Sequence, residues 1–174
     1  EEDFRVFIEK MNIPVALTKN AFDFIEDAHP LLAGQVGTYG QRSGNFAIQN
    51  SDLLICLGTR LSSPVTGYEA DLFARQARVV VVDIDKAELE HSLIKIDLPI
   101  YSDLPNFFNE FNSQTEDTTW SAFKEWREKV SHWRDVFPNV TDFMRNRTDY
   151  VDPYYFFESL SENIDASISL VWDQ

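Results

Sequence analysis

The sequence predicts an α/β fold, a doubly wound parallel sheet with helices on both faces. Three observations predict it. Short apolar runs alternate with helical periodicities through the first two-thirds of the chain, the order that calls for parallel strands joined by crossover helices. One run, Arg78-Val-Val-Val-Val-Asp83, holds four consecutive valines, typical of a central parallel strand covered on both faces. All six glycines of the 174 residues lie between Gly34 and Gly67, where a loop, a helix and a strand follow one another.

Each element has its own justification. Phe4, Phe7, Ile8 and Met11 recur at helical spacing, which predicts a helix over 3–11. Ile13-Pro-Val-Ala-Leu17 reads as a buried strand, with Pro14 near its start, where a missing donor is tolerated. A loop follows, through Ala21–Ile25 to His29-Pro30. Residues 42–50 predict a helix with Phe46 and Ala47 inward, and Leu53–Leu57 a strand. Helix-like sequence around Tyr68–Phe73 leads to the valine strand, then to a helix over Lys86–His91. Pro99-Ile-Tyr101 gives a further short strand, and Asp103 is a fitting N-cap for a helix bearing Leu104, Phe107, Phe108 and Phe111.

The glycines mark the candidate site. Gly34, Gly37, Gly40 and Gly44 form a turn-rich loop opening a helix, and Gly58 ends a strand. Glycine serves where φ is positive or where something approaches the main chain closely. These glycines therefore fit either a crevice lined by backbone N–H groups or plain turn punctuation. Right-handed crossovers gather the loops after parallel strands on one edge of the sheet, where ligands of such sheets bind. Those loops carry Thr18, Gly58, Arg60, Asp83 and Asp103. An acid at a strand's C-terminal end is placed to accept hydrogen bonds from ribose or adenine groups. Asp83 and Asp85 equally suit capping of the next helix, and the two roles are compatible.

Composition bounds the partners. The net charge is −14, and no basic patch exists to neutralise phosphates, which argues against nucleic acid. An acidic surface also repels anionic membranes, and the longest apolar runs are too short to span a bilayer. The N-terminus, Glu-Glu-Asp, has no signal-peptide pattern and no initiator Met, which leads us to expect a processed or excised piece of a cytoplasmic protein. The single cysteine, Cys56, lies inside an apolar strand and reads as a small buried hydrophobe in a reducing compartment. No second His or Cys stands at metal-ligand spacing from His29, so no metal site is assigned. The sequons at Asn139 and Asn146 read as chance matches.

A change of composition follows the last of these helices. Asn112–Thr119 is polar and reads as a linker. Phe123, Trp126, Val130, Trp133 and Phe137 then form an aromatic helical stripe, expected to dock on a neighbouring domain. Residues 138–151 read as an irregular connection. Asp152-Pro153 is an N-cap with proline at the first helical position, and Phe156, Phe157, Leu160 and Ile164 share one side of that helix. A final strand is expected at Ile168–Trp172, stopping where its loop would begin, as in a truncated domain.

Several ordered motifs resemble the central domain of acetolactate synthase-like thiamine diphosphate enzymes. They are His29-Pro30, Gly34-Gln-Val-Gly-Thr-Tyr-Gly40, Asn45-Phe-Ala47, Ser51-Asp-Leu-Leu54, Leu57-Gly-Thr-Arg60, Val65-Thr-Gly67 and Val82-Asp-Ile-Asp85. The resemblance covers roughly residues 10–112 and implies a Rossmann-like domain over 1–112. It further implies a linker with an amphipathic helix over 113–151, and the start of the C-terminal diphosphate-binding domain over 152–174. The full enzyme it implies is a homo-oligomer acting on small 2-oxo acids such as pyruvate, with thiamine diphosphate and Mg²⁺ held by neighbouring catalytic domains. No Gly-Asp-Gly motif occurs here, so no catalytic residue is assigned and the chain alone is expected to be inactive.

In flavin-containing members of that family the central domain binds FAD. Carried over, Val36, Gly37, Thr38 and Tyr39 would line the flavin. Gly58, Arg60 and Val65 would contact the ribityl and pyrophosphate region, and Asp83, Ile84 and Asp103 would approach the adenosine. The sequence departs from the synthase pattern in carrying Ser62-Ser-Pro64 where Asp-Asp-Arg is frequent, and Thr38-Tyr39 in place of Met-His. The family's first strand, with its glycine turn, would precede Phe4. FAD, an adenine nucleotide such as ADP, or a purely structural and oligomerising role all remain open for this domain.

Overall fold

The computed structural model describes residues 2–115, 118, 123–165, 167–169 and 171. Two compact units divide the chain, Glu1–Phe137 and Pro138–Gln174. In the first, helix α1 (Glu2–Met11) leads to strand β1 (Val15–Leu17), and strand β2 (Leu32–Gln35) to helix α2 (Arg42–Gln49). Then come β3 (Leu53–Leu57), α3 (Ser63–Thr66), β4 (Arg78–Asp83), α4 (Lys86–Glu90), β5 (Leu98–Tyr101), α5 (Leu104–Gln114) and α6 (Lys124–Val136). Single 3₁₀ turns occupy Lys19–Ala21 and Ala70–Leu72.

All strand pairs are parallel, as expected, but the hydrogen-bonded sheet is in two pieces. β1 pairs with β2, and β3-β4-β5 form a separate sheet in that order. β4 is central, and Val79, Val81 and Val82 are buried, as four valines covered on both faces require. β2 has no counterpart in the sequence reading. Its Ala33 and Gly34 are small and carry no strand propensity; pairing with β1 and the close approach of α6 fix it instead.

Side-chain alternation along the strands separates the two faces. Leu17, Leu32, Ile55 and Leu57 join Phe7, Ile8 and Met11 of α1 and Phe108 of α5 in one core cluster. Phe7 meets Phe107, Phe108 and Phe111 at ring separations of 5.9, 5.3 and 4.8 Å. On the other face Ala16 and Leu54 pack with Ile48 of α2, Val36 and Phe73. Helices thus cover both faces.

The aromatic stripe docks within this same unit. Val130, 2% exposed, packs against Ala33 and Ala47, with Trp126 and Trp133 beside it. Ala47 faces that cluster, whereas Phe46 meets Trp133 and Phe137 edge-on at 5.8 and 5.5 Å. Phe46 is therefore turned toward α6 and keeps 36% exposure. Arg127 donates to the Asn12 carbonyl at 2.9 Å, and Arg134 donates to those of Asp27 and His29 at 2.6 and 3.2 Å.

The second unit contains α7 (Asp142–Arg145), inside the stretch read as irregular, and α8 (Pro153–Asn163). Asp152 caps α8 by accepting from Tyr154 N at 3.0 Å, with Pro153 in the first turn. Arg145 pairs with Glu158, and Arg147 lies 3.7 Å from the Tyr150 ring centroid. Of the strand expected at 168–172, Leu170 and Trp172 lie outside the described residues, and Ile168, Ser169 and Val171 are not in a strand.

Candidate functional site

The C-terminal ends of the parallel strands form one rim, and main-chain hydrogen bonds stitch it together. Gly58 N, just past β3, donates to Val82 O at 2.8 Å, next to Asp83. Ser102 N, just past β5, donates to Asp83 O at 3.1 Å, next to Asp103. Gly58 has φ +54, and a Cβ there would lie 3.0 Å from Leu104 Cδ1. Glycine therefore permits both the turn and the approach of α5. Gly58, Asp83 and Asp103 are thus brought side by side.

The glycine loop after β2 joins the same edge through α3. Gly37 has φ +105, and a Cβ there would fall 2.4 Å from Pro64 O and 3.3 Å from Val65 Cα. Thr38 N donates to Pro64 O at 2.8 Å. Asn45 of α2 holds the loop from the other side, accepting from Gly37 N at 2.9 Å and donating to Gly37 O at 3.0 Å. Val36, Gly37, Thr38 and Val65 are therefore neighbours. Tyr39 projects outward, 95% exposed.

The rim carboxylates have different duties. Asp103 spends both oxygens on Asn106, accepting from its backbone N and side-chain Nδ2 at 2.8 Å each. Asp85 caps α4 by accepting from Ala87 N at 2.9 Å. Asp83 is buried, and its Oδ1 accepts from Asp85 N at 2.8 Å. Among the described residues its second oxygen accepts no hydrogen bond. Ile84 beside it is 65% exposed.

Positive charge is sparse. Arg60 Nε lies 3.1 Å from Glu88 of α4, and its side chain is 77% exposed. A pair so open to water is weak and easily exchanged. Lys86 sits over the Tyr101 ring, 4.6 Å from its centroid. Cys56 lies in β3 beneath the rim, and burial pushes its thiol up to about 12, so it is a neutral packing group and no nucleophile. Among the described residues no cluster of His, Cys, Asp or Glu could hold a metal ion, and no helix is long and apolar enough to cross a membrane.

One edge of the sheet thus carries the buried Asp83 carboxylate, the exposed Arg60 guanidinium and glycine-lined turns. Asp85 and Asp103 cap the helices that follow them, as their positions in the sequence lead one to expect, whereas the occupation of Arg60 by Glu88 is not readable from residue type. That ion pair depends on where α4 places Glu88, and the side-chain bond from Asn106 Nδ2 to the second oxygen of Asp103 likewise appears only in the fold.

Residues 1–111 match the family described as thiamine pyrophosphate enzyme, central domain. The chain is 33% identical over 153 residues to a probable acetolactate synthase large subunit of Methanococcus aeolicus, covering 87% of this chain and 25% of that protein. It is 33% identical over 170 residues to the acetolactate synthase large subunit of Corynebacterium glutamicum, covering 94% and 26%. It is 30% identical over 174 residues to the chloroplastic acetolactate synthase 1 of Nicotiana tabacum, covering 97% and 25%. The chain spans about a quarter of the length of these curated relatives.

Proposed function

The chain belongs to the family of thiamine pyrophosphate enzyme central domains, and from that premise we propose that it is the non-catalytic, nucleotide-holding middle of an acetolactate synthase-like enzyme. The single observation that carries this reading is the stitched rim, where Gly58 N donates to Val82 O and Ser102 N to the adjoining Asp83 O. Asp83 offers its spare oxygen to a ribose or adenine donor. Arg60 leaves Glu88 to pair with a pyrophosphate oxygen through its planar fork. The clasped Gly37–Val65 corner borders the far end of the same ligand, FAD or an ADP-like nucleotide. The catalytic groups lie in neighbouring domains of a homo-oligomer acting on 2-oxo acids, with Mg²⁺. There thiamine diphosphate supplies the electron sink for carbon–carbon bond making beside a carbonyl.

Titration of the intact enzyme with FAD and with ADP tests the rim, alongside its visible absorption after purification. Arg60→Ala and Asp83→Asn are expected to weaken binding at least about tenfold, the equivalent of one charge-assisted hydrogen bond. Binding unchanged in both variants defeats the nucleotide reading. A flavin band in the purified enzyme selects FAD.

A structural spacer is the second reading. It is favoured by Asp103, both of whose oxygens accept from Asn106, and by Arg60, whose Nε is already paired with Glu88. Failure of both nucleotides to bind would select it.

A further inference from the structure

Arg60 and Glu88 meet because their chain neighbours share one apolar cluster. Leu61, next to Arg60, and Leu89, next to Glu88, both pack against Cys56, Val79 and Val81. The loop after β3 and the helix after β4 are thereby pinned side by side, and Arg60 Nε comes to lie 3.1 Å from Glu88 Oε1. Helix α4 is fixed at its start by Asp85, which accepts from Ala87 N at 2.9 Å. Among the described residues Glu88 has no other cationic partner.

The pair is lopsided. The Glu88 side chain is 29% exposed and that of Arg60 77%. The carboxylate therefore stays with its helix, and the guanidinium is the member free to swing. Among the described residues that guanidinium donates no hydrogen bond, to Glu88 or to any other group. Charge alone holds it, without the bidentate fork by which a carboxylate orients an arginine. Glu88 thus does not aim Arg60. It cancels its charge.

We propose that Glu88 is a built-in competitor for the anionic end of the rim's ligand, holding Arg60 while the rim is empty and giving it up when a nucleoside diphosphate arrives. The proposal rests on the nucleotide reading and adds to it a residue that lowers affinity. A ligand that needs Arg60 free binds more weakly in proportion to the fraction of molecules in which the pair is closed. A pair this open to water shifts that balance only a few-fold. The effect is therefore a fine adjustment, which keeps the diphosphate exchangeable where a lone arginine would hold it longer. Its sign is what identifies it: loss of an acidic side chain that touches no ligand should tighten binding through Arg60 alone.

Titration of the intact enzyme with ADP compares the natural chain with Glu88→Gln, with Glu90→Gln, and with Glu88→Gln combined with Arg60→Ala. Glu88→Gln is expected to tighten binding about two- to fivefold. Glu90 is exposed on the same helix and has no ion pair among the described residues, so Glu90→Gln removes the same charge and should gain clearly less. With Arg60→Ala already in place, Glu88→Gln is expected to change nothing, the signature of a coupled pair. Unchanged or weaker binding by Glu88→Gln, an equal gain from Glu90→Gln, or a gain that persists without Arg60 overturns the proposal and leaves the nucleotide reading standing. ADP bound by none of these proteins removes both.

Discussion

Asn45 clasps Gly37 in both directions: its Oδ1 accepts from Gly37 N at 2.9 Å and its Nδ2 donates to Gly37 O at 3.0 Å. One side chain on α2 thereby satisfies both main-chain groups of a residue whose φ of +105 takes it out of any regular element. Asn45→Ala is expected to destabilise the chain by roughly 1–3 kcal/mol, because two partly buried backbone groups lose their partner. Urea unfolding measures it. A cost indistinguishable from zero would mean that water replaces the clasp without penalty.

The same corner separates two kinds of glycine. Gly37→Ala places a Cβ 2.4 Å from Pro64 O at φ +105, whereas Gly67→Ala meets φ +83 with nothing within 4 Å. Backbone strain alone costs about 1–3 kcal/mol, so Gly67→Ala should fall in that range. Gly37→Ala should cost more, since the α3 loop must also move. Equal losses in thermal or urea unfolding would show that the Pro64 carbonyl yields freely.

Asp97 provides a pH-dependent contribution. Lys95 Nζ donates to its carboxylate at 2.8 Å and Val79 N at 2.9 Å. The Lys95 hydrogen bond first, and the Val79 amide second, hold it below its ordinary value of 3.8. A carboxyl with a lowered folded pKa contributes stability that is complete above the unfolded value and is lost as pH falls through the folded one. The stability gap between the natural chain and Asp97→Asn should therefore be constant near neutrality and close as pH drops below about 3.8. Urea midpoints measured from pH 6 downward check this, and a gap that ignores pH would contradict it.

Cys56 should be silent toward thiol reagents in the folded chain. With its thiol pushed up to about 12 by burial, almost no thiolate exists at pH 8, and the sulfur is covered. Labelling is expected only in concentrated guanidinium chloride, and rapid labelling of the native chain would place β3 in water.

Legibility in the sequence follows how local each cause is. β3, β4 and α5 are readable because an apolar run, four valines and an Asp103 cap act within a few residues. β2 is not, since Leu32-Ala-Gly-Gln35 becomes a strand only by pairing with β1 and tucking Ala33, 0% exposed, under Val130. Phe46 shows the same limit: helical spacing turns it inward, but only tertiary packing says that its inside is Trp133 and Phe137. The rim is readable as topology, because parallel strands present their following loops together. Which rim carboxylate keeps an unpaired oxygen is not, because that depends on the burial and hydrogen-bond partners that Asp83 and Asp103 each meet in the fold.

Helix α6 is fastened to the first crossover by Arg127 and Arg134, whose guanidinium groups grip the carbonyls of Asn12, Asp27 and His29. A grip on peptide oxygens is blind to the side chains that the gripped residues carry. Asp27 can therefore change its side chain without loosening the brace. Asn12, at φ +52, and His29, whose Nδ1 accepts from Leu31 N at 3.2 Å, also shape the backbone that is gripped. A lysine at 134, offering a single ammonium, cannot span two carbonyls in the same planar way. The tolerance of the brace is therefore uneven, wide at Asp27 and narrow at Arg134.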